Sequence, residues 1–248
     1  MAAVVIVMNE GHRIARCLER LQWADRLVVV DAFSTDDTVL VAEESGAEVL
    51  QRRWVNFADQ RNFVLQNVEA DWVVFVDADE IMPSNLADEI CEAIISDSGF
   101  SAYWIPRRNN IFGHEMFGAG WYPDYQLRVI KRGCANFDTT RPVHEIAIVD
   151  GQCGHLRAHL IHHGPKSIRE FRARQDSYVE LQAEGLNMRG VRARMHSPIS
   201  QAIREWFRRM IVLKGYRDGQ YGLLAACLMA EHEFKVYRNL VHIQGHTD

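Results

Sequence analysis

No apolar run in the 248 residues is long enough to cross a bilayer. Ala2–Met8 is seven residues and Tyr221–Ala230 ten, against the roughly 20 that a spanning helix needs. No basic region precedes the first run, so it reads as a buried strand and not as a signal peptide. Cysteine is sparse. The five thiols (Cys17, Cys91, Cys134, Cys153, Cys227) are odd in number and form no CxxC pair, which excludes a disulfide frame or cysteine zinc site and fits a reduced, cytoplasmic chain. A basic surplus is missing too: 28 Lys+Arg face 33 Asp+Glu, a formal charge of −5, the wrong sign for a nucleic-acid binder. There is no internal repeat and no low-complexity linker, so a domain seam, expected near residue 165, would not be a flexible tether.

What is present is the balance of an ordinary globular protein, 48% apolar and 25% charged. The charge is polarised: residues 1–100 hold 7 basic against 19 acidic residues and residues 101–248 hold 21 against 14, so the two ends are expected to meet different partners. Ala2–Met8, Leu27–Val30 and Trp72–Val76 are β-branched runs that stop at polar clusters. Between them His12–Trp23, Thr38–Ser45 and Phe57–Val68 keep helical spacing, and Pro83-Ser84 opens another helix over 85–96. Strands apolar on both faces alternating with helices predict an α/β fold, a mostly parallel Rossmann-like sheet with helices on both faces. Ala102–Pro106, Gln126–Lys131 and His155–His162 read as further strands. Ser167–Glu184, Ile199–Leu213 and Gly222–Tyr237 read as a C-terminal helical extension, giving expected domains 1–165 and 166–248.

In such sheets ligands bind beyond the carboxyl ends of the strands. The polar residues there are Asn9 and Glu10 after the first strand, then Asp31, Ser34, Asp36 and Thr38 after the second, then Asp77, Asp79 and Glu80 after the third, with Ala78 between the two aspartates as a further candidate to line the donor site. Ser34 and Asp36 also suit turn closure or helix capping. Asp77 and Asp79 would repel unless they share a cation or a bound donor. Hard oxygen ligands suit Mg²⁺ or Mn²⁺, which bridge to substrate phosphates.

The string VVIVMNEGHRIARCLERLQWADRLVVVDAFSTDDT, followed by FADQRNFVL and DWVVFVDADE, resembles family 2 glycosyltransferases of the GT-A fold. Within them it is similar to the lipopolysaccharide-core β-1,4-glucosyltransferase-like group, a likeness that resumes at RPVHE, at IHH (161–163) and at GYRDGQYG. The resemblance implies transfer of a hexose, glucose foremost, from a UDP-type nucleotide-sugar to a lipopolysaccharide-core or other cell-surface glycan or glycolipid. It implies that Asn9, Glu10, Asp31, Ser34 and Asp36 line the nucleotide pocket and that Arg61 approaches the sugar or diphosphate. Asp77 would contact ribose or metal, and Asp79 would ligate the metal.

Direct displacement needs a general base on the acceptor side. Glu145 in RPVHE is the first candidate, with an ion pair to Arg141 or Arg128 as its alternative; Asp124 is second, with a turn role after Pro123 as its alternative. Glu115 is a weaker third. His162 and His163 end a strand, so at most one of them faces a given pocket; His162 is the candidate metal ligand. Phe112, Phe117, Trp121, Tyr122 and Tyr125 are expected to be mostly anchoring, with one or two rings exposed as a sugar platform. Arg189–Arg217 carries eight basic residues and the single acid Glu205 beside a broad apolar face. Such a helix either packs internally or lies on an anionic bilayer; a lipid-linked, phosphate-bearing acceptor favours the second, placing the protein peripherally on the inner face of a bacterial cytoplasmic membrane. The competing readings are a DxD-type phosphohydrolase, opposed by Glu80-Ile81 after the motif, and a non-catalytic nucleotide-binding scaffold.

Overall fold

The computed structural model describes residues 1–96, 98–139 and 147–245. The elements run β1 (Ala2–Val7), α1 (Gly11–Glu19), β2 (Arg26–Asp31), α2 (Thr38–Glu44), β3 (Glu48–Gln51), α3 (Phe57–Asn67), β4 (Trp72–Asp77), β5 (Glu80–Ile81), α4 (Ser84–Ile95), β6 (Phe100–Ile111), β7 (His114–Glu115), β8 (Asp124–Lys131), β9 (Ala135–Phe137), β10 (Ala147–Val149), β11 (Gln152–His155), β12 (Leu160–His163), α5 (Ile168–Met188), α6 (Ser197–Phe207), a π turn (Arg208–Val212), a 3-10 turn (Gly215–Asp218) and α7 (Gly219–Gly245).

By internal packing the chain forms two units, Met1–Arg107 with Tyr125–His163, and Arg108–Asp124 with Gly164–Asp248. The second division falls two residues before the expected seam. Residues 108–124, expected in the first domain, belong to the helical unit.

The first unit is built on the strand order β3-β2-β1-β4-β8-β6-β12-β5. Strands β3, β2, β1 and β4 are parallel, whereas β8 joins β4, and β12 joins β5, antiparallel. Period-2 alternation explains why both faces are covered. Ala3, Val5, Val7, Val29, Val74 and Val76 face Ile14 and Leu18 of α1 and Leu86 and Ile90 of α4. Ala2, Val4, Val28, Val30, Val73 and Phe75 face Ala58, Val64 and Leu65 of α3. This is the α/β, GT-A arrangement that the sequence rhythm and the family resemblance predict. One expected strand differs: His155–His162 is broken into β11 and β12. Glu89 explains the break, because its carboxylate accepts from the backbone N–H of Arg157 (2.9 Å) and Ala158 (2.8 Å), taking donors that a ladder would need.

In the second unit, Ser167 caps α5 by accepting from the Glu170 N–H, and Glu170 accepts in return from the Lys166 N–H. The GYRDGQYG string is a packing node. Asp218 is buried and accepts from the N–H groups of Phe117 and Gly118, both at 2.7 Å. A Cβ on Gly222 would collide with the Gly215 carbonyl, and one on Gly215 with the Arg209 carbonyl, so these two glycines are there for close approach. Between α5 and α7, His232 is buried with Nε2 3.0 Å from Gln182 Oε1.

Burial holds His232 below its ordinary value, with Asp176 opposing and Lys235 assisting. The unfolded chain therefore binds the extra proton first as pH falls below about 6.5. Stability present above that pH is lost on acidification. Urea midpoints between neutral and mildly acidic pH should fall more steeply for wild type than for His232→Gln; parallel slopes would assign the effect elsewhere.

Candidate functional site

Parallel register brings the strand ends together. Asp31 sits opposite Val7 of β1, and Asp77 sits opposite Ile6 on β1's other side, so the carboxyl end of β1 is flanked by the ends of both neighbours. Beyond them the backbone turns through left-handed positions at Asn9 (φ 57°) and Phe33 (φ 62°). Asparagine tolerates this region; phenylalanine does so only when its surroundings enforce it.

The loops after β1 and β2 are stitched to each other. Asn9 N–H donates to Ser34 Oγ (2.8 Å) and Asn9 Oδ1 accepts from Thr35 N–H (2.8 Å). Glu10 N–H donates to Thr38 Oγ1 (2.9 Å), and Gly11 N–H to Asp36 Oδ2 (3.2 Å). Asp36 also accepts from the Thr38 hydroxyl, whose bond, more than the backbone bonds, holds its carboxyl below the usual range. Asp31 is fully buried and accepts from Ser34 N–H through both oxygens (3.0 and 3.2 Å). Ser34 and Asp36 thus make loop-closing hydrogen bonds, and Asp31 bonds to the same loop.

At the end of β4 the two acidic residues separate. Asp77, expected to contact ribose or metal, is held by a guanidinium: Arg128 Nη1 and Nη2 reach its two carboxylate oxygens. Arg128 is 1% exposed, and its Nη2 also donates to Glu80 Oε1 (2.7 Å). Glu80, fully buried, accepts in addition from Arg107 Nη1 (2.9 Å) and from the Asp77 N–H (3.0 Å). Burial pushes Asp77 up, but Arg128, with Arg61 and Arg107 behind it, outweighs this and holds the carboxyl well below the usual carboxylate range.

Asp79 has a different neighbour. His162 of β12 is buried, with Nε2 3.3 Å from Asp79 Oδ2, and the next residue's N–H, on His163, donates to the Asp79 carbonyl at 2.9 Å. Strand alternation therefore selects His162 over His163 for this side. Among the described residues no group of three or more His, Cys, Asp or Glu side chains is placed to hold a metal. The Asp79–His162 pair still fits Mn²⁺ or Mg²⁺, whose remaining positions go to water and phosphate oxygens. Imidazole, the softer ligand, favours Mn²⁺ of the two.

Arg61 is buried, its guanidinium 5.6 Å from the Phe75 ring centroid and 5.3 Å from that of Phe137. Its charge helps to hold the Asp77 carboxyl below the usual range, after that of Arg128. Asp124, in the second unit, accepts from Asn109 Nδ2 (2.9 Å). Glu145 lies outside the described residues. Phe112 and Trp121 pack on Phe171, whereas Phe117 and Tyr125 are exposed at 46% and 45%. All five cysteines are free thiols.

Arg128 and Arg107 were not singled out as site residues from sequence. Arg128 carried a signal: a charge inside the apolar run Leu127–Ile130. Arg107 carried none, because it sits at the end of its run like any solvated charge.

Strand ends that gather hard oxygen donors beside fixed guanidinium groups suit a donor whose leaving group is a diphosphate. The class so defined is the GT-A glycosyltransferases, enzymes that draw a sugar from a nucleotide-sugar. The model of glycosyl transferase family 2 matches residues 2–150, and the chain belongs to that family. It is similar to the lipopolysaccharide core biosynthesis glycosyltransferase LpsC of Rhizobium meliloti, at 26% identity over 96% of this chain and 92% of that one. An uncharacterized glycosyltransferase of Rickettsia felis is 40% identical over 36% of this chain and 32% of its own. Among solved structures, glucosyl-3-phosphoglycerate synthase of Mycobacterium tuberculosis, in complex with Mn²⁺, UDP and glucosyl-3-phosphoglycerate, superposes on 44% of this chain and 43% of its own, with a TM-score of 0.37 and 23% identity.

Proposed function

We propose that this glycosyltransferase inverts configuration as it moves a hexose, glucose foremost, from a UDP-sugar to a lipopolysaccharide-core or related cell-surface glycan. The observation that carries the donor-site reading is the division of the DAD motif, Asp79 with His162 and Asp77 with Arg128. Support for the acceptor is the similarity to LpsC along nearly the whole chain. Asp79 and His162 would hold Mn²⁺ or Mg²⁺, and Asn9, Glu10, Asp31, Ala78 and Asp77 would surround the nucleotide, with Ser34 and Asp36 setting the loop that faces it. A divalent cation bound there supplies positive charge to the leaving diphosphate. Arg128 and Arg107 keep Asp77 ionised and fixed, so that it presents an acceptor to the ribose without swinging into the metal position.

On the acceptor side Glu145 takes the proton from the attacking hydroxyl, with Asp124 as second choice; the base faces the ring opposite the leaving group. The enzyme works at the anionic inner face of the cytoplasmic membrane, where a lipid-linked acceptor is presented. No described helix is long and apolar enough to cross a membrane.

The test is a panel of nucleotide-sugars with Mn²⁺, followed by thermal stabilisation and transfer. UDP-glucose should raise the melting temperature and support transfer, and Glu145→Gln should keep the first while losing about 10²–10⁴-fold of the second. No stabilisation by any nucleotide would end the donor-site reading. Full transfer by Glu145→Gln would move the base to Asp124.

A further inference from the structure

Helix α6, the turn before it and the π turn after it carry an apolar stripe that the catalytic reading does not use. Met195, Ile199, Ile203, Phe207 and Ile211 recur at every fourth residue and are 85, 59, 54, 55 and 59% exposed, with Val212 at 71%. At about 100° per helical residue, Ile199, Ile203 and Phe207 occupy one arc about 80° wide, and Arg204 and Arg208 follow in the next. Gln201 and Glu205, on the opposite side, and Ala202 and Trp206, on the flank next to Ile199, are partly buried, and α6 packs on α7. The packing alternative raised by the sequence is therefore met by one side of the helix, while the stripe remains outside. A four-residue step drifts about 40° along an α-helix. The wider i→i+5 turn at Arg208–Val212 offsets that drift, and Ile211 stays outward with Phe207.

The exposed charge along Arg189–Arg217 has one sign. Arg192, Arg194, Arg204, Arg208, Lys214 and Arg217 are all exposed. The single acid between Arg189 and Arg217, Glu205, is taken by Arg208 and Arg209 at 2.7–2.8 Å. A second copy of the chain seated on this face would bring arginine towards arginine. An anionic bilayer accepts both features at once, apolar side chains at the acyl boundary and guanidinium groups at the phosphates.

We propose that α6 and the turns that flank it form an interfacial anchor for an anionic lipid surface, with Met195, Ile199, Ile203, Phe207, Ile211 and Val212 inserted and Arg204 and Arg208 at headgroup level. This deepens the membrane-surface part of the reading above and rests on no donor-site assignment. The full chain is sedimented with phosphatidylglycerol-containing vesicles and with pure phosphatidylcholine vesicles, at low and high salt. Wild type should bind the anionic vesicles only, and less at high salt. Ile203→Glu/Phe207→Glu should weaken binding by at least about tenfold and Arg204→Gln by about fivefold, while stabilisation by UDP-glucose stays at the wild-type level in both. That readout separates a failed anchor from a failed donor site. The proposal is overturned if wild type does not bind, if both vesicle types bind equally, if the variants bind like wild type, or if the stripe instead drives self-association that Phe207→Glu abolishes.

Discussion

Asp79→Ala is expected to lower sugar transfer by about 10²–10³-fold, the range seen when a preorganised electrostatic contact to a developing anion is removed. It should also abolish the extra thermal stabilisation that Mn²⁺ adds to UDP. The fold should survive, because the bond that ties β5 to β12 at this point comes from the Asp79 carbonyl and not from its side chain. His162→Ala should weaken the metal response in the same direction. Both variants are read by transfer rate against Mn²⁺ concentration and by melting with UDP alone and UDP plus Mn²⁺. A metal response in Asp79→Ala like that of wild type would sink the assignment.

The second large effect is on stability. Arg128→Met removes the guanidinium that neutralises Asp77 and part of Glu80, a carboxylate with no exposure at all. Stripping one member from a buried ionic network costs about 3–5 kcal/mol, because the remaining charge is left under-compensated. For a chain of this size that is a fall in melting temperature of about 10 °C. Arg128→Lys should rescue little, since an ammonium cannot span both carboxylates as the planar fork does. Adding Glu80→Gln to Arg128→Met should recover part of the loss, as expected when two residues share one network. A single variant within about 1 kcal/mol of wild type by urea unfolding would show that water already does the work assigned to Arg128.

These two effects separate what local sequence can say from what it cannot. The β-branched runs at Ala2, Leu27 and Trp72 needed no tertiary information to be placed, because full burial on two faces leaves its mark within each run. Ser34 and Asp36 were ambiguous for a physical reason: the groups that line a phosphate pocket are also the groups that close turns and cap helices. Only the fold shows the loop-closing bonds they make to Asn9 and Gly11. The break after His155 was invisible because it is made by Glu89, 68 residues from the N–H it captures.

The amino-acid sequence by itself determined the α/β alternation, the carboxylates at the strand ends, the membership of family 2 and the basic, apolar character of α6. Each is written in composition, in spacing or in an ordered string of motifs. Tertiary structure decided which partner each carboxylate holds. Antiparallel pairing of β8 on β4 carries Arg128 to Asp77, and pairing of β12 on β5 carries His162 to Asp79 from 83 residues away. It also decided that one side of α6 packs while its apolar stripe faces out. Periodicity shows which faces of a segment are apolar; which strand or helix comes to lie against a face is set by chain closure over long separations, and no local pattern records that.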